Sequence, residues 1–435
     1  MTDHHLIAPG HKSSGAVFIV CPYIVKGLHR IIDPQARLEE AKGLAEAIQL
    51  DVKGTEFFKQ HIIRSATYIS KGHVHALQDL IKALDINLVF IDAAISPVQQ
   101  RNLEKAWNCK VIDRTGLILE IFGARARTAE GRLQVELAAL TYQRSRLVRS
   151  WTHLERQRGG LGAVGGPGET QLELDRRLID ERIGRIKKEL EDVTRTRALH
   201  RKARKRVPFP IVALVGYTNA GKSTLFNRLT QAGVMAEQML FATLDPTMRR
   251  VHLPSGRNII LSDTVGFISD LPTLLVAAFR ATLEEVVEAD LILHVRDISH
   301  PETAAQNQDV MAVLADLDLG KAYENHGIEV LNKCDLLDKE KLQHLKTEAC
   351  LSTRPLQCVV SALSGEGIQD LLDKINTFLA SQEETYALSL LVSEGKKIAW
   401  LYAHGEVLER HDDETHAHLT VKLSSHNKEK FDRFE

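Results

Sequence analysis

The sequence predicts an α/β protein built around a P-loop nucleotide-binding domain with a mostly parallel sheet and helices on both faces. Short apolar runs alternate with segments of helical periodicity over much of the chain, which is typical of parallel sheets. A GxxxxGKS motif also follows a buried strand and precedes a helical segment, the context that a phosphate-binding loop requires. We expect an α/β domain with a long antiparallel helical hairpin before this domain and a small α+β domain after it.

Length and composition fit a globular protein of about three domains. The chain has 435 residues, 44% of them hydrophobic and 26% charged, and a formal net charge of -1. The cysteines show no CxxC spacing and no cluster with histidines, so neither a disulfide framework nor a structural zinc site is expected. Every apolar run is too short to span a bilayer. We expect a monomeric, cytoplasmic protein without membrane insertion, with peripheral membrane association left open.

Residues 1–128 are predicted to form the first α/β domain. Three apolar runs are typical of buried strands, and two segments have the apolar spacing of helices. The strand candidates are Ala16–Val20, Ile86–Asp92 and Cys109–Asp113, and the helix candidates are Arg37–Leu50 and Pro97–Trp107.

Residues 129–206 are predicted to form a helical hairpin. Apolar residues recur at alternating spacings of four and three on both sides of Gly159–Gly168, which predicts a seam along each of two helices joined by a glycine-rich tip. The first seam consists of Leu133, Leu137, Leu140, Leu147, Trp151 and Leu154, with Arg144 at the one skipped position, and the second of Ile179, Ile183, Ile186, Leu190 and Val193. The basic residues of interest are Arg144, Arg146, Arg149, Arg156 and Arg158 on the hairpin, and Arg195, Arg197, Arg201, Lys202, Arg204, Lys205 and Arg206 at its end.

The motif that begins at Gly216 predicts a phosphate-binding loop. Its glycines let the backbone curl so that several N–H groups point at phosphate oxygens, and the N-terminus of the following helix adds partial positive charge. We expect Lys222 to reach the β- and γ-phosphates and Ser223 to bind Mg²⁺. The residues of this segment are Gly216, Tyr217, Thr218, Asn219, Ala220, Gly221, Lys222, Ser223 and Thr224.

A DxxG motif after an apolar strand is the second phosphate segment. We expect the carboxylate of Asp263 to hold Mg²⁺, through water, and the N–H of Gly266 to meet the γ-phosphate. The members of the motif are Asp263, Thr264, Val265 and Gly266.

The first switch loop must lie between Ser223 and Asp263. In such loops a threonine hydroxyl completes the coordination of Mg²⁺ when the γ-phosphate is present. Thr243 is the preferred threonine and Thr247 the alternative. The loop residues predicted to line the site are Phe241, Ala242, Thr243, Leu244 and Asp245.

An NKxD motif at the end of a strand predicts recognition of guanine. The carboxylate of Asp335 can accept hydrogen bonds from N1 and N2 of guanine, and adenine offers no matching pair of donors. We expect Lys333 to cover the base plane, Asn332 to brace the loop, and a backbone N–H of a later loop to meet guanine O6. That later loop consists of Ser361, Ala362 and Leu363. Motifs in this order, each at a strand end, predict a G domain over 207–382 that binds GTP and GDP.

The group that positions the attacking water is not evident from the motifs. Many GTPases place a glutamine directly after DxxG for this purpose, and Phe267 occupies that position here. Asn219 offers a side-chain oxygen that suits a monovalent cation such as K⁺ near the phosphates. An equal alternative is that this asparagine braces the loop. The residues expected to serve hydrolysis are Lys222, Thr243, Gly266 and Asn219, and the expected Mg²⁺ ligands are Ser223, Thr243 and Asp263. We hypothesise slow intrinsic turnover that K⁺ or a large partner raises.

Residues 383–435 are predicted to form the small α+β domain. Ala387–Val392, Glu406–Arg410 and His416–Leu423 are strand candidates, and Gly395–Ala403 is a short helix candidate.

The sequence resembles the HflX family of P-loop GTPases, which are related to translation factors. In the G domain the segments GYTNAGKS, LFATLDPT, DTVGFI and NKCD carry the resemblance. It continues in ISPVQQRNLE from Ile95, in DRT from Asp113, in IFGARAR from Ile121 and in GGPGETQLE from Gly165.

The resemblance implies partners that the spacing of residues does not show. The first domain would bind the large ribosomal subunit and its ribosomal RNA, and the hairpin would carry its tip towards the peptidyl-transferase region. The protein would dissociate stalled or idle ribosomes into subunits. Thr243 would be the threonine that senses Mg²⁺, and Asn219 would match the asparagine of cation-dependent GTPases. The basic side chains would neutralise RNA phosphates.

Two other functions remain open from the sequence. One is a GTPase that assists assembly of the large subunit with the same nucleotide site. The other is a signalling switch in which the hairpin is a coiled-coil element for protein partners. The NKxD motif disfavours a metabolic kinase.

Overall fold

The computed structural model describes residues 15–24, 33–157, 167–204, 209–231, 240–241, 243, 247–269, 286–352, 355–424, 428 and 431–432. Within these residues the chain forms a four-stranded sheet, a long helical pair, a six-stranded sheet and a three-stranded sheet, in that order. The predicted fold class, a mostly parallel α/β core with a smaller α+β unit after it, is confirmed.

The first sheet is entirely parallel, in the order β2-β1-β3-β4. Its central strand is buried on both faces, as expected when crossover helices cover a parallel sheet. The elements are β1 Ala16–Ile24, α1 Pro34–Glu46, β2 Asp51–Gln60, α2 Lys71–Ala83, β3 Leu88–Ile91, α3 Pro97–Trp107, β4 Lys110–Asp113 and α4 Arg114–Arg125.

Helix α1 differs from its predicted limits at both ends. Asp33 accepts a hydrogen bond from the N–H of Gln35 at 3.1 Å and caps the helix, and Pro34 has the fixed φ that suits its first turn. The helix therefore begins before Arg37 and ends at Glu46 rather than at Leu50. In contrast, α3 has its predicted limits, because a capping box of Ser96 and Gln99 defines its start.

The helical hairpin consists of α5, Ala129–Gln157, and α6, Pro167–Arg204. Leu140, Ile183 and Ile186 are buried between the two helices, which confirms the central part of the predicted seam. Helix α6 includes Pro167 and Gly168, which the sequence placed in the tip, because proline is tolerated in the first turn. Residues 158–166 of the tip and the side chains of Trp151 and Leu154 lie outside the described residues.

Arg146, one of the residues predicted to neutralise RNA phosphates, contacts the amino-terminal domain in the structure. Its guanidinium donates to Asp113 at 2.7 Å and lies 4.3 Å from the ring centroid of Tyr142, and the side chain is 17% exposed. Arg144 pairs with Asp180 across the hairpin at 3.1 Å. The side chains of Arg149, Arg156 and Arg158 lie outside the described residues.

The six-stranded sheet has the order β10-β9-β8-β5-β7-β6, and its neighbours are parallel except for β6 and β7. Because β5, β7, β8 and β9 are parallel, the loops after them meet at one edge of the sheet. The elements are β5 Ile211–Gly216, α7 Lys222–Thr230, β6 Thr247–His252, β7 Asn258–Asp263, β8 Leu291–Asp297, α8 Thr303–Asp316, α9 Gly320–His326, β9 Gly327–Asn332, a 3₁₀ turn Cys334–Leu336, α10 Lys339–Leu351, β10 Leu356–Val359 and α11 Ile368–Ser381.

The last sheet is antiparallel, in the order β11-β13-β12. The elements are β11 Glu383–Leu391, α12 Gly395–His404, β12 Glu406–Asp412 and β13 His416–Ser424, close to the predicted ones. Helix α12 covers one face of this sheet with Ile398 and Leu401.

Candidate functional site

The phosphate-binding loop joins β5 to α7 at the edge of the sheet. Gly216 has φ +150°, and a Cβ atom there would lie 2.2 Å from the carbonyl oxygen of Val295. Gly221 has φ +95°, and its Cβ atom would lie 2.2 Å from Nδ2 of Asn332. Both positions therefore require glycine, for conformation and for space.

Lys222 is directed into the loop that precedes it. Its ammonium donates to the carbonyl oxygens of Gly216 at 3.1 Å and Tyr217 at 2.8 Å, and the residue is 6% exposed. Burial lowers the pKa of this ammonium to about 8, against the opposing effect of the Asp263 carboxylate. A phosphate bound beside this ammonium would favour its charged form and so offset the effect of burial.

The three predicted ligands of Mg²⁺ lie together. The hydroxyls of Ser223 and Thr243 donate to Oδ2 of Asp263 at 2.8 Å and 2.9 Å, and the two hydroxyl oxygens are 3.0 Å apart. The other carboxylate oxygen, Oδ1, is buried without a hydrogen-bond partner, and burial raises the pKa of Asp263. These oxygens fit a hard divalent cation such as Mg²⁺, and the P-loop GTPase family generally uses this ion.

Thr243 and Thr247 occupy different environments. Thr247 begins strand β6 and pairs with Asp263 in the backbone register, whereas the hydroxyl of Thr243 reaches the Asp263 carboxylate. This geometry favours Thr243. The predicted loop residues Ala242, Leu244 and Asp245 lie outside the described residues.

The DxxG segment contacts the phosphate-binding loop directly. The N–H of Thr218 donates to the carbonyl of Phe267 at 2.7 Å, and the N–H of Phe267 donates to the carbonyl of Gly216 at 3.1 Å. A Cβ atom at Gly266 would lie 2.8 Å from Cγ2 of Thr218 and 3.0 Å from Nζ of Lys222. Gly266 therefore has no room for a side chain.

Asn332 connects the base-binding loops to the phosphate-binding loop. Its amide donates to the carbonyl of Ala220 at 2.8 Å, and its Oδ1 accepts from the N–H of Ala362 at 2.9 Å. This is the bracing contact that the NKxD motif predicts.

The other residues predicted to contact the base differ in their exposure and contacts. Lys333 has φ +65°, and its ammonium lies 2.7 Å from a carboxylate oxygen of Asp297. Asp335 is exposed, so its carboxylate is accessible to a base. Ser361 is fully buried and Leu363 is 74% exposed.

Two residues of this site escaped the sequence reasoning. Asp297 ends strand β8 and pairs with Lys333, and its position at the carboxyl end of a parallel strand was a usable signal. Arg228 of α7 donates to the carbonyls of Ala362, at 3.0 Å, and Leu363. No local motif identifies Arg228, because its partners lie more than 130 positions later.

The amino-terminal sheet domain packs against the nucleotide-binding loops. Arg114 forms ion pairs with Asp92 and Glu40, both at 2.5 Å, and donates to the carbonyl of Ser269 at 2.9 Å. Although burial alone would raise it, the guanidiniums of Arg114 and Arg37 hold the pKa of Asp92 below its usual value. Ser269 lies three residues after Gly266, so this network reaches the segment that begins with DxxG, here called the second switch segment.

Other contacts join the amino-terminal sheet domain to the nucleotide-binding domain around the first switch loop. Phe122 of α4 packs edge-on against Phe241, with ring centroids 4.7 Å apart and an interplanar angle of 79°. Both rings are buried in one apolar cluster with Tyr217 and Phe267.

The structure also places the remaining predicted site residues. Thr218 and Ala220 are buried in the phosphate-binding loop, and Asn219 is exposed there. Thr224 lies in the first turn of α7, and Thr264 and Val265 are buried after β7.

Among the residues described, no helix is both long and apolar enough to cross a membrane. No group of three or more His, Cys, Asp or Glu side chains that could hold a metal ion occurs in this part of the chain either.

Family models match four consecutive parts of the chain. Their descriptions are the N-terminal region of a GTP-binding GTPase at 35–123, its middle region at 125–204, a 50S ribosome-binding GTPase at 211–333, and an HflX C-terminal domain at 348–434. The match at 211–333 includes the phosphate-binding loop, DxxG and Asn332.

Curated relatives align with most of the chain. A GTPase HflX from Magnetococcus marinus is 51% identical over 390 residues, 90% of this chain and 88% of that one. A GTPase HflX from Escherichia coli is 46% identical over 76% of each chain. A crystal structure of a GTP-binding protein from Sulfolobus solfataricus in complex with GDP is 22% identical, with a TM-score of 0.45 over 84% of this chain and 99% of that one. By its sequence relatives and family models, this chain belongs to the GTPase HflX family, and it binds and hydrolyses GTP.

Proposed function

We propose that this GTPase associates with the large ribosomal subunit and its ribosomal RNA, and dissociates stalled or idle ribosomes into subunits. The observation that carries the proposal is the match of residues 211–333 to a family described as a 50S ribosome-binding GTPase. The relation to GTPase HflX proteins over most of the chain supports it.

The length of the helical hairpin is consistent with a partner as large as the ribosome. Its helices have 29 and 38 residues. At about 1.5 Å per residue they extend about 44 Å and 57 Å, so the hairpin can make contacts far from the nucleotide.

The basic end of α6 is a better candidate for RNA phosphates than its first third. In the first third of α6, Arg176 and Arg177 each lie 4.0 Å from an acidic side chain one turn later. Between Asp192 and the nucleotide site the sequence contains no further acid, while the basic residues at 195–206 follow one another closely. Arg195 lies 3.4 Å from Asp192, but no acid separates the later basic residues in the sequence, so they are better placed to neutralise RNA phosphates and release counterions.

Within the nucleotide site the roles follow from the contacts. Bound Mg²⁺ would stabilise charge on the β- and γ-phosphates. Ser223, Thr243 and Asp263 would hold it, because their oxygens converge and one of them lacks a partner. Lys222 neutralises the same phosphates, and the N–H of Gly266 donates to the γ-phosphate. Asp335 accepts from guanine, which favours GTP over ATP.

Asn219 is the candidate ligand of a K⁺ ion that speeds hydrolysis. The side chain of Asn219 is exposed, and its backbone has φ +60°. The described residues provide this side chain with no hydrogen bond. A loop brace would need such a bond, so the geometry favours a cation ligand. K⁺ should therefore raise the rate more than Na⁺ does, and Asn219→Ala should remove the difference. Equal rates in both salts for the parent protein would contradict this role.

Sedimentation with purified ribosomes tests the function. We expect intact ribosomes to decrease and free subunits to increase when the protein and GTP are added. Binding to precursor particles alone would instead indicate a factor for large-subunit assembly. Absence of association with GTP, GDP and a non-hydrolysable analogue would contradict both ribosomal functions and leave a signalling switch.

A pair of matched variants separates RNA binding from nucleotide binding. Arg201→Glu with Arg204→Glu reverses two charges at the basic end of α6. Lys339→Glu with Lys341→Glu reverses two exposed charges on α10. The first variant should lose association with the large subunit at parental GDP affinity, and the second should bind like the parent. Equal binding of both would remove the basic end from the interface.

A further inference from the structure

Phe267 cannot orient the attacking water, although it occupies the position that a glutamine fills in many GTPases. The residue is 2% exposed, and its ring lies in the apolar cluster shared with the amino-terminal domain. Both of its backbone polar groups are bonded to the phosphate-binding loop, at Gly216 and Thr218. A group other than Phe267 must therefore act on the water, and the polar residues in contact with Gly266 are the first candidates.

Most polar side chains around Gly266 are already assigned to the phosphates or to Mg²⁺. Lys222 carries the charge that faces the phosphates. Ser223, Thr243 and Asp263 form the oxygen cluster that suits Mg²⁺. These groups would be engaged throughout the reaction and are not free to hold water.

Among the residues that the structure describes, Thr218 is a polar residue next to Gly266 to which none of these roles is assigned. It is 6% exposed, and its hydroxyl oxygen is buried without a hydrogen-bond partner. Its Cα and Cγ2 atoms lie 2.9 Å and 2.8 Å from the point where a Cβ atom of Gly266 would be. The side chain is therefore in contact with the residue whose N–H is expected at the γ-phosphate.

A buried hydroxyl without a partner is unfavourable. Leaving such a group unsatisfied costs free energy, so its presence at this position calls for a partner that arrives with the nucleotide. A hydroxyl can donate one hydrogen bond and accept two. It can therefore contact a water molecule and a phosphate oxygen at the same time.

We propose that the Thr218 hydroxyl orients the attacking water during hydrolysis. It accepts a hydrogen bond from the water, so that a lone pair of the water oxygen faces the γ-phosphorus. The bond from water oxygen to phosphorus forms as the bond from phosphorus to the β–γ bridging oxygen breaks. The bridging oxygen leaves with the electron pair as part of GDP, and a water proton ends on the released phosphate or in solvent. Thr218 is unchanged.

This inference concerns the hydrolytic step and does not depend on the ribosomal function. The competing explanation is that Thr218 is structural and that its methyl group merely packs against Gly266. Threonine carries both groups on Cβ, and variants can separate them. Valine keeps the shape without the hydroxyl, alanine removes both groups, and serine keeps the hydroxyl without the methyl.

Single-turnover hydrolysis at saturating GTP and Mg²⁺ in potassium buffer tests the proposal. Thr218→Val and Thr218→Ala should be slower by about 10- to 100-fold, the size expected when a reacting group loses its orientation. Thr218→Ser should stay within about threefold of the parent. GDP affinity, measured by calorimetry, should change little in all three variants because GDP lacks the γ-phosphate, and it also shows that they are folded. Thr377→Val, which removes an exposed hydroxyl from α11, is the matched control and should hydrolyse GTP at the parental rate.

Three results would overturn the proposal. The first is a parental rate in Thr218→Val. The second is a rate in Thr218→Ser as low as in Thr218→Val, which would assign the effect to the methyl group. The third is recovery of the Thr218→Val rate at high K⁺ concentration, which would make the hydroxyl a cation ligand.

Discussion

The hydroxyl of Tyr217 in the phosphate-binding loop donates to the carboxylate of Glu40 in helix α1. The same hydroxyl accepts from the N–H of Ser269 at 2.7 Å. One side chain thereby joins the phosphate-binding loop, the second switch segment and the amino-terminal domain. Burial, together with the Glu40 carboxylate, raises the pKa of Tyr217 well above its ordinary value, so the hydroxyl stays protonated as a donor.

Tyr217→Phe should lower the free energy of unfolding by about 1–3 kcal/mol, because Ser269 and Glu40 each lose a buried partner. Chemical denaturation measures this change. Tyr386→Phe is the matched control, since its hydroxyl also donates to a glutamate, at 2.8 Å, but at an exposed site. That variant should change the free energy by no more than about 0.5 kcal/mol. Equal effects of the two variants would argue against the buried network.

Asn332→Asp should weaken the binding of both GDP and GTP. The substitution removes the amide that donates to the carbonyl of Ala220 and places a carboxylate oxygen there instead. A loss of about 1–3 kcal/mol corresponds to roughly 5- to 150-fold in affinity. Calorimetric titration measures it.

Asn102→Ala is the control for the asparagine prediction. Asn102 donates to the carbonyl of Ala66 at 2.8 Å in the amino-terminal domain, far from the nucleotide in the sequence. Its loss should leave nucleotide affinity unchanged. Parental affinity in Asn332→Asp would show that the brace is dispensable.

Gly266→Ala should impair hydrolysis far more than GDP binding. The new Cβ atom would lie 2.8 Å from Thr218 and 3.0 Å from Nζ of Lys222, so the segment must move away from the γ-phosphate. We expect hydrolysis to fall by about 100-fold or more. Rates and GDP affinities are measured side by side.

The matched glycine is Gly184 on α6, where a Cβ atom would meet nothing within 4 Å. Gly184→Ala should keep the parental rate and raise the free energy of unfolding by about 0.5–1 kcal/mol, since alanine favours the helix. A parental rate in Gly266→Ala would contradict the close contact.

His294 should make the protein less stable in mild acid. Its ring is 1% exposed, and burial, with Arg296 and Lys222, lowers its pKa from 6.5 to about 3. Between these values the unfolded chain binds a proton that the folded one does not, so the free energy of unfolding falls as pH falls through this window. From pH 7 to pH 5 this residue should account for about 2 kcal/mol of lost stability.

His294→Phe tests the pH dependence by removing the titrating ring while keeping an aromatic group beside Tyr323. The loss of stability between pH 7 and pH 5 should shrink by that amount. His344→Gln on the exposed side of α10 should leave the pH dependence as it is in the parent. An unchanged dependence in His294→Phe would show that another group is responsible.

The nucleotide site was predictable from sequence because local motifs define it. Gly216 and the carboxylate of Asp263 lie at strand ends, Gly221 directly precedes helix α7, and a parallel sheet brings such strand ends together. Whether the magnesium threonine is Thr243 or Thr247 depends on the register of β6, which spacing does not reveal. Asp297 and Arg228 were missed because their partners are distant in sequence.

The amino-terminal half was less predictable. Strand β2 contains Gly54 and alternating charges rather than an apolar run, so it was not recognised. Arg146 is grouped by sequence with the other basic residues of the hairpin. Its partner Asp113 precedes it by 33 positions, so only the folded structure shows this contact. The contact of Phe122 with Phe241 likewise joins two domains and has no local signature.

Calorimetric titration of Asp335→Asn with GDP and with xanthosine diphosphate tests most directly whether these loops form one guanine-reading site. Asparagine cannot accept both guanine donors, whereas it can donate to the 2-oxo group of xanthine. We predict a loss of GDP affinity on the order of 100-fold or more, together with gained affinity for xanthosine diphosphate. Parental affinity for GDP in this variant, in a folded protein, would contradict the assignment of Asp335 and with it the proposed site.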